Sequence, residues 1–205
     1  MNKKKGLFIS FEGPEASGKS SQILLLQKYL TTKKISFITT REPGGTKLAE
    51  SLRNLILKIK SDINIDEEIL MLMAARSHHI NNVIKPALDK GILVISDRFA
   101  DSTFVYQGYV NNFGIQKAKS LHKNILNNFL PQKTFLFNLS SSKIIARLKK
   151  RKSKNKYDKL ERNFHDQVNR GYDLISKNKR FIKIDASKSI TSINKQIIKT
   201  INLLI

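Results

Sequence analysis

Hydrophobic residues along the chain fall into short continuous runs, separated by longer stretches in which they recur every three or four positions. Continuous runs of about five residues are typical of strands buried on both faces, and the longer spacing is typical of helices. The predicted strands are residues 7–11, 35–39, 92–96, 134–139 and 180–184. The predicted helices are residues 21–30, 46–60, 66–89, 115–129 and 142–150, with one more from the fifth strand to the C-terminus.

This alternation predicts an α/β fold with a five-stranded parallel sheet that has helices on both faces. A chain of 205 residues is long enough for one well-buried domain, so we expect a single domain over residues 1–205. Pro86 predicts a kink near the end of the 66–89 helix. Residues 149–159 are basic and lack apolar periodicity, which predicts a mobile excursion from the domain.

The turn after the first predicted strand carries the most specific motif. Residues 13–20 read Gly-Pro-Glu-Ala-Ser-Gly-Lys-Ser and fit the pattern G-x-x-x-x-G-K-[ST] at each required position. Such a loop lets backbone N–H groups converge on a phosphate at a helix N-terminus. We predict that Lys19 reaches the β- and γ-phosphates and that the Ser20 hydroxyl ligates Mg²⁺. The motif predicts a P-loop NTPase fold and binding of a nucleoside triphosphate.

Two further strand ends carry charged side chains at the edge where a parallel sheet binds its ligands. Asp97 directly follows the third predicted strand, and an acidic residue in that place typically lies near the Mg²⁺ of a P-loop protein. Arg41 and Glu42 follow the second predicted strand. Together with the P-loop, these residues predict a site for a triphosphate, a metal ion and a second polar substrate.

Arginine and aromatic side chains supply candidates for the second half of the site. Arg76 is set among apolar residues of the 66–89 helix, and phosphate is a good match for the planar fork of such an arginine. Arg53 lies on the preceding helix and is a candidate to join it. Residues 101–109 alternate hydroxyls, an amide and aromatic rings, which suits either a base-binding wall or ordinary helix packing.

Composition places the chain among ordinary globular proteins, apart from its formal net charge of +22. Because the lysines are spread along the whole chain, a compositional bias accounts for this charge better than a nucleic-acid site does. The chain contains no cysteine and no apolar run long enough to span a bilayer, and its basic residues 1–5 lead straight into the first strand. We expect a cytoplasmic protein without disulfides, a signal peptide or a membrane span.

The four variable positions of the P-loop, residues 14–17, contain no cation. Phosphoryl transfer spreads negative charge over the transferring oxygens, and a cation must stabilise it. The basic cluster at about 147–160 predicts a mobile lid that closes over ATP and supplies this charge. Arg147 and Arg151 are the first candidates among the lid cations.

In combination, these segments closely resemble bacterial thymidylate kinases. The segments that carry the resemblance are, in order, Phe11-Glu12-Gly13, the P-loop, Thr40-Arg41-Glu42-Pro43-Gly44-Gly45, Asp97-Arg98, Ser102-Thr103, Tyr106-Gln107-Gly108 and Asp185-Ala186-Ser187. The resemblance covers essentially the whole chain, and an acidic P-loop with a basic lid is the pattern of the bacterial branch. It implies transfer of the ATP γ-phosphate to dTMP, giving dTDP and ADP, with Mg²⁺.

The resemblance and the motifs together give four sets of candidate residues. The catalytic candidates are Lys19, Glu15, Arg98, Arg147 and Arg151. The ATP-binding candidates are Gly13, Pro14, Glu15, Ala16, Ser17, Gly18, Lys19, Ser20, Ser21 and Ala186. The dTMP-binding candidates are Glu42, Pro43, Arg53, Leu72, Arg76, Arg98, Thr103, Tyr106 and Gln107. The metal candidates are Ser20 and Asp97.

The resemblance also implies individual roles around the acceptor nucleotide. Arg76 and Arg53 would hold the dTMP phosphate, and Arg98 would lie between the acceptor and donor phosphates. Two side chains, Thr103 and Gln107, would face the thymine edge. The aromatic ring of the Tyr-Gln-Gly segment would lie against the deoxyribose, and the acidic P-loop residue would lie near its 3′-hydroxyl. The Asp-Ala-Ser turn would lie beside the adenine of ATP.

The chain departs from the family pattern in two respects. Leu72 stands where many relatives place a phenylalanine that stacks on thymine, and loss of that ring weakens stacking by about 1 kcal/mol. Some lid arginines of relatives are lysines here, and a lysine does not reproduce a bidentate grip on phosphate.

Two alternative functions fit parts of the sequence. Another nucleotide or deoxynucleoside kinase would use the same P-loop, and a nucleic-acid-dependent ATPase would use the excess positive charge. The full set of segments favours the dTMP kinase, for which we expect ATP and dTMP as ligands, no membrane or nucleic-acid partner, and a homodimer.

Overall fold

The computed structural model describes residues 5–57, 62–150 and 161–205. Within these ranges the strands form one five-stranded parallel sheet in the order β2-β3-β1-β4-β5. The strands are β1 (Phe8–Glu12), β2 (Phe37–Arg41), β3 (Leu93–Asp97), β4 (Lys133–Asn138) and β5 (Phe181–Asp185). All five predicted strands are present, with their bounds shifted by one or two residues toward the C-terminus at most places.

Helices connect and cover the strands. They are α1 (Lys19–Thr32), α2 (Lys47–Leu57), α3 (Ile65–His79), α4 (Lys85–Asp89), α5 (Ala100–Thr103), α6 (Ile115–Leu126), α7 (Ser141–Lys149), α8 (Arg162–Ile175) and α9 (Ile190–Asn202). Two wider π-helical segments continue this path: Ile80–Ile84 joins α3 to α4, and Phe104–Val110 follows α5. We call the second of these the π segment.

The apolar strand residues divide between the two faces of the sheet. Phe8 and Val94 belong to a core that includes residues of α3, α6 and α8, whereas Ile9 and Ile95 belong to a core with α1 and α9. Successive strand residues point to opposite faces, so a continuous apolar run fills both cores at once. The predicted α/β fold, with a parallel sheet covered on both faces, is confirmed.

The 66–89 stretch forms a continuous helical path, although its middle is wider than an α-helix. Asn64 precedes α3 and forms a capping box with Glu67. The Asn64 side chain accepts from the Glu67 N–H, and the Glu67 carboxylate accepts from the Asn64 N–H. Before Pro86 the path widens into the π-helical segment Ile80–Ile84, where the Lys85 N–H reaches the carbonyl of Ile80. A proline lacks a donor and crowds the preceding turn, so this local widening lets the chain continue past it.

Helix α8 was not predicted, because polar residues and a glycine dominate residues 162–175. A helical spacing of buried positions is nevertheless present in His165, Val168, Tyr172 and Ile175. A β-carbon at Gly171 would lie only 2.9 Å from Val105 Cγ1 of the π segment, so glycine permits a close approach of the two helices. The predicted excursion at 149–159 lies mostly outside the described residues.

Within the described ranges, no helix has both the length and the apolar character needed to cross a membrane.

Candidate active site

A cavity of about 500 Å³ opens at the carboxyl ends of β1, β2 and β3. This is the edge at which parallel sheets with this winding bind their ligands. Residues 15–21, which run from the P-loop into the start of α1, line one end of the cavity together with Asp97. The acceptor-site candidates that line it are Glu42, Pro43, Arg53, Leu72, Arg76, Arg98, Thr103, Tyr106 and Gln107.

The P-loop turns tightly because two of its glycines have positive φ angles, 132° at Gly13 and 97° at Gly18. A β-carbon at Gly13 would lie 2.5 Å from the Phe137 carbonyl oxygen, so the loop also passes close to β4. Helix α1 begins directly after Gly18. The loop therefore presents a helix N-terminus to the cavity, which is an arrangement suited to phosphate.

Lys19 is buried, and its ammonium donates to the carbonyls of Gly13 and Pro14 at 3.1 and 2.8 Å. A third bond reaches the Ser17 hydroxyl at 3.3 Å. Burial, followed by the nearby charge of Arg98, lowers the pKa of Lys19 to about 8. These partners are neutral, so the lysine charge is available to an incoming anion.

The two metal candidates lie side by side at the mouth of the P-loop. The Ser20 hydroxyl donates to Asp97 Oδ2 at 2.9 Å, across β3 and the start of α1. Hydroxyl and carboxylate oxygens are ligands that Mg²⁺ prefers, and this ion usually completes its shell with water and substrate phosphates. The described residues contain no cluster of three or more histidine or acidic side chains arranged around a metal position. The pair supplies one hydroxyl and one carboxylate oxygen of the kind that Mg²⁺ prefers.

Arg98 connects the P-loop to the opposite wall of the cavity. Its Nη2 donates to Glu15 Oε1 at 2.9 Å, and its guanidinium carbon lies 5.2 Å from the centre of the Tyr106 ring. The Tyr106 hydroxyl also donates to both Glu15 oxygens, at 2.8 and 2.7 Å. Burial holds the pKa of Tyr106 well above its usual value, so the hydroxyl stays protonated. The acidic P-loop residue is therefore fixed by an arginine and a tyrosine from outside the loop.

A second buried ion pair lies deeper in the acceptor end. Arg76 Nε donates to Glu42 Oε2 at 2.6 Å, and Arg76 Nη2 donates to the Thr103 hydroxyl at 2.8 Å. His79 Nδ1 lies 2.9 Å from the other Glu42 oxygen. Burial acts to raise the pKa of Glu42, but Arg76 and His79 outweigh it and leave that pKa below its usual value. The arginine charge is thus balanced inside the protein.

The remaining acceptor candidates form the walls of this end. Gln107 Nε2 donates to Glu68 Oε1 at 2.6 Å, which joins the π segment to α3. Leu72 is buried on α3 and lines the cavity beside them. Arg53 Nη1 donates to the Pro43 carbonyl at 2.8 Å, from α2 to the loop after β2. A hydroxyl, an amide and a leucine side chain, those of Thr103, Gln107 and Leu72, therefore line the same cavity, a mix suited to binding a base.

Arg147, the lid candidate within the described residues, lies near the P-loop. Its Nη1 donates to the Ala16 carbonyl at 3.1 Å and its Nη2 to the Ala186 carbonyl at 3.0 Å. It therefore joins α7, the P-loop and the turn after β5, although it does not line the main cavity. Arg151 and residues 151–160 of the predicted lid lie outside the described part of the chain.

Sequence reasoning missed several polar residues around this site. Glu12, Ser102 and Tyr172 form a hydrogen-bonded group directly behind Arg98. Glu12 and Ser102 attracted notice only as parts of the Phe-Glu-Gly and Ser-Thr segments, and Tyr172 lies on the unpredicted helix α8. His79 follows Arg76 by three positions, a spacing that places both on one helix face and was a usable signal.

Comparisons with known proteins agree with this geometry. The model of the family described as "Thymidylate kinase" matches residues 11–197. The chain is 42% identical over 200 residues to the "Thymidylate kinase" of Mycoplasma capricolum subsp. capricolum, covering 95% of this chain and 94% of that protein. It is 40% identical to the protein of that name from Ruthia magnifica, covering 95% and 96% of the two chains. It is 37% identical to the protein of that name from Halothermothrix orenii, covering 94% of this chain and 95% of that protein.

Proposed function

This chain belongs to the thymidylate kinase family, and we propose that it transfers the γ-phosphate of ATP to dTMP at the cavity described above. The products are dTDP and ADP, on the route to dTTP. The observation that supports this most directly is the single cavity that joins a P-loop to a buried acceptor wall. Catalysis then consists of positioning and charge neutralisation, without a covalent enzyme intermediate.

At the donor end, Lys19 exchanges its carbonyl partners for oxygens of the β- and γ-phosphates. The exchange is favourable because a phosphate oxygen is charged and the carbonyls of Gly13 and Pro14 are neutral. Ser20 and Asp97 would hold Mg²⁺, which, when bound, neutralises charge on the phosphate oxygens. Backbone N–H groups of residues 13–21, except that of Pro14, which has none, would donate to the phosphate oxygens.

Between the two substrates, Arg98 stabilises charge on the transferring phosphoryl group. Its Nη2 donates to Glu15 of the P-loop at 2.9 Å, and both side chains line the cavity in which the two phosphate groups would meet. Glu15 and Tyr106 lie next to it and are proposed to contact the deoxyribose, with Glu15 near the 3′-hydroxyl. The bond between them fixes the carboxylate before the substrate arrives.

The acceptor arginines have different surroundings, which suggests different tasks. Both Arg53 and Arg76 are candidates for the dTMP phosphate, but Arg76 is balanced by Glu42 and bonded to Thr103. Arg53 instead bonds a neutral carbonyl. We therefore assign the phosphate chiefly to Arg53 with Arg98, and assign Arg76 to the base side, where it orders Thr103.

The rest of the nucleotide contacts follow from the walls of the cavity. Thr103 and Gln107 present a hydroxyl and an amide to the thymine edge, and Leu72 packs on the ring without aromatic stacking. Glu42 and Pro43 close the loop side of this pocket. Arg147 and Ala186 are proposed to lie beside the adenine end of ATP, and Arg147 reaches the transferring phosphate when the lid closes. Arg151 stays a prediction as a second lid cation.

Assembly and location are proposed separately. We expect a homodimer, and the contacting helices α2 and α3 carry three exposed leucines that are candidates for its interface, Leu48, Leu55 and Leu70. A cytoplasmic location stays a prediction from the sequence.

An acceptor panel tests the proposed function. Purified protein is incubated with ATP and Mg²⁺ together with dTMP, dUMP, dCMP, dGMP or thymidine, and formation of ADP and of the new phosphate ester is followed. We expect the highest kcat/KM with dTMP. Preference for thymidine would contradict the phosphate role of Arg53, because that acceptor carries no phosphate.

The panel also separates the alternative functions. A preference for another monophosphate would keep the kinase mechanism and change the substrate. ATP hydrolysis that depends on added DNA, with no dTMP phosphorylation, would favour the nucleic-acid-dependent ATPase, and such binding would weaken steeply with salt.

A further inference from the structure

Tyr172 places a buried hydroxyl behind the arginine that the proposed mechanism uses. The side chain is 1% exposed, so it is shielded from the cavity. Its hydroxyl donates to Glu12 Oε2 at 2.9 Å and lies 3.1 Å from the Ser102 hydroxyl. Arg98 Nη1 donates to the same Tyr172 oxygen at 3.2 Å and to Ser102 at 3.0 Å. The tyrosine therefore touches the arginine but not the space in which substrates bind.

The backbone of Arg98 is held in an unusual conformation by the same neighbourhood. Its φ angle is +68°, in the left-handed region that residues with a β-carbon rarely adopt. The N–H of the next residue, Phe99, donates to Glu12 Oε1 at 2.7 Å. The Arg98 carbonyl accepts from the Ser96 hydroxyl at 2.6 Å. These bonds compensate for the conformational cost and point the side chain toward the P-loop.

Glu12 connects the backbone and side-chain contacts of this arginine. Its fully buried carboxylate accepts three bonds, from the Phe99 N–H and from the Ser102 and Tyr172 hydroxyls. The two hydroxyls in turn accept from the Arg98 guanidinium. Because each hydroxyl is both donor and acceptor, the pair connects the Glu12 carboxyl group to Arg98 Nη1 through hydrogen bonds.

The second amino group of the guanidinium, Nη2, is bonded to Glu15 and has to be able to change its partner when the substrates bind. Nη2 donates to Glu15 Oε1 at 2.9 Å, and both side chains line the cavity in which the substrates are proposed to bind. Nη1 donates additionally to the Gly13 carbonyl at 2.9 Å. The bonds to Nη1 fix the guanidinium and leave Nη2 to contact the transferring group, which is the arrangement that preorganised electrostatic stabilisation requires.

We propose that Tyr172 is a positioning residue for the kinase reaction, acting through Arg98 with Glu12 and Ser102 as its support. The inference rests on the proposed function of this cavity. Tyr172 acts on the orientation of the guanidinium in the transition state, so its removal lowers kcat and leaves the KM for ATP nearly unchanged.

A double-mutant cycle tests the inference. Tyr172→Phe keeps the ring and removes the hydroxyl, and we expect kcat to fall about tenfold, the effect of losing one hydrogen bond to a charged group. Arg98→Lys keeps the positive charge but lacks the Nη1 donor. In that background, Tyr172→Phe is expected to change kcat less than twofold, because the interaction it removes is already absent.

Tyr29→Phe is the matched control, since its hydroxyl bonds Asn202 Oδ1 far from the cavity. Ser102→Ala provides a second variant, which removes the other hydroxyl between Glu12 and Arg98. In the Arg98→Lys background, Ser102→Ala is likewise expected to change kcat less than twofold. Thermal unfolding of each variant identifies any that fail to fold.

Additive effects of Tyr172→Phe and Arg98→Lys would overturn the inference, and so would an unchanged kcat in Tyr172→Phe. Failure of the proposed function is distinguishable, because it would appear in the unaltered protein as a preference for another acceptor. The cycle would then be repeated with that acceptor, and its coupling would still decide the role of Tyr172.

Discussion

The donor and acceptor ends of the cavity hold their cations in different ways. At the donor end, Lys19 donates to backbone carbonyls, and so does Arg147, which lies beside the P-loop but outside the cavity. At the acceptor end, Arg76 and Arg98 form ion pairs with Glu42 and with the P-loop carboxylate of Glu15, whereas Arg53, assigned to the dTMP phosphate, donates to a carbonyl. The first pair of cations has neutral partners in these bonds, and the charge of the second pair is balanced by carboxylates.

This difference matches the charge of the two proposed ligands. A triphosphate brings several negative charges, so cations bonded to neutral carbonyls gain strongly when phosphate oxygens replace those carbonyls. A monophosphate nucleoside brings less charge and has to be distinguished by its base and sugar. Arginines already paired with carboxylates contribute orientation and hydrogen bonding there, with less non-specific attraction for anions. We infer that the donor end attracts its ligand and the acceptor end selects its own.

Removal of the donor-end cation tests this comparison most severely. Lys19→Ala is expected to lower kcat by at least about a thousandfold, since no other group replaces the ammonium on the phosphates. Steady-state assays with saturating ATP and dTMP measure the effect. Lys28→Ala, which removes an exposed lysine of the same helix α1, is the control and should leave kcat unchanged. An active Lys19→Ala protein would contradict the P-loop assignment and the donor half of the comparison.

Breaking the acceptor-end ion pair sharpens the comparison through stability as well as binding. Arg76→Ala leaves the buried carboxylate of Glu42 with His79 as its remaining partner, so the free energy of unfolding should fall by about 3–5 kcal/mol. We expect the KM for dTMP to rise about 10- to 100-fold and the KM for ATP to change little. Chemical denaturation and initial-rate kinetics measure the two effects.

An exposed ion pair provides the control for that prediction. Lys117 and Asp66 pair at 3.3 Å with side chains 64% and 65% exposed, so Lys117→Ala should change the free energy of unfolding by no more than about 1 kcal/mol. Equal effects of Arg76→Ala on both KM values would remove Arg76 from the acceptor end. If Arg76→Ala lowered the free energy of unfolding no more than Lys117→Ala does, the buried charges of Arg76 and Glu42 would not depend on each other.

The two ends also differ in how far they could be predicted from the sequence. The donor end is local, because the P-loop lies within eight consecutive residues and its chemistry is fixed by their order. Asp97 was predictable from its place after an apolar strand. The five strands were predictable because continuous apolar runs fill both faces of a parallel sheet.

The acceptor end depends on contacts between distant residues, which spacing does not reveal. Glu42 pairs with Arg76 across 34 positions, and Glu12 bonds Tyr172 across 160. Resemblance to a family indicated that Arg76 is a site residue but not that its charge is balanced internally. Helix α8 was missed because its buried positions include histidine, glycine and tyrosine among polar neighbours, a weak apolar signal.

The dependence of activity on pH gives the mildest test of the donor end. The pKa of Lys19 is lowered to about 8, because burial and the nearby Arg98 disfavour its charged form. Above that pH the free protein loses the charge that attracts phosphate, so kcat/KM for ATP should fall about tenfold by pH 9. In the ATP complex the phosphates favour the ammonium, so the corresponding decline in kcat should begin at a higher pH. A decline at the same pH in both parameters would contradict this account.

The same lowered pKa has the opposite effect on stability, which separates loss of the lysine charge from unfolding. Between pH 8 and 10.5, the unfolded chain keeps a proton on Lys19 that the folded protein has released. Because the unfolded state then binds more protons, this group makes the free energy of unfolding rise with pH across that window. Deprotonation of Lys19 therefore does not unfold the protein, and unfolding through this group does not explain a loss of activity at pH 9. Denaturant titrations at pH 7 and pH 9 check this directly: a protein that stays folded while kcat/KM for ATP declines has lost the donor-end charge rather than its fold.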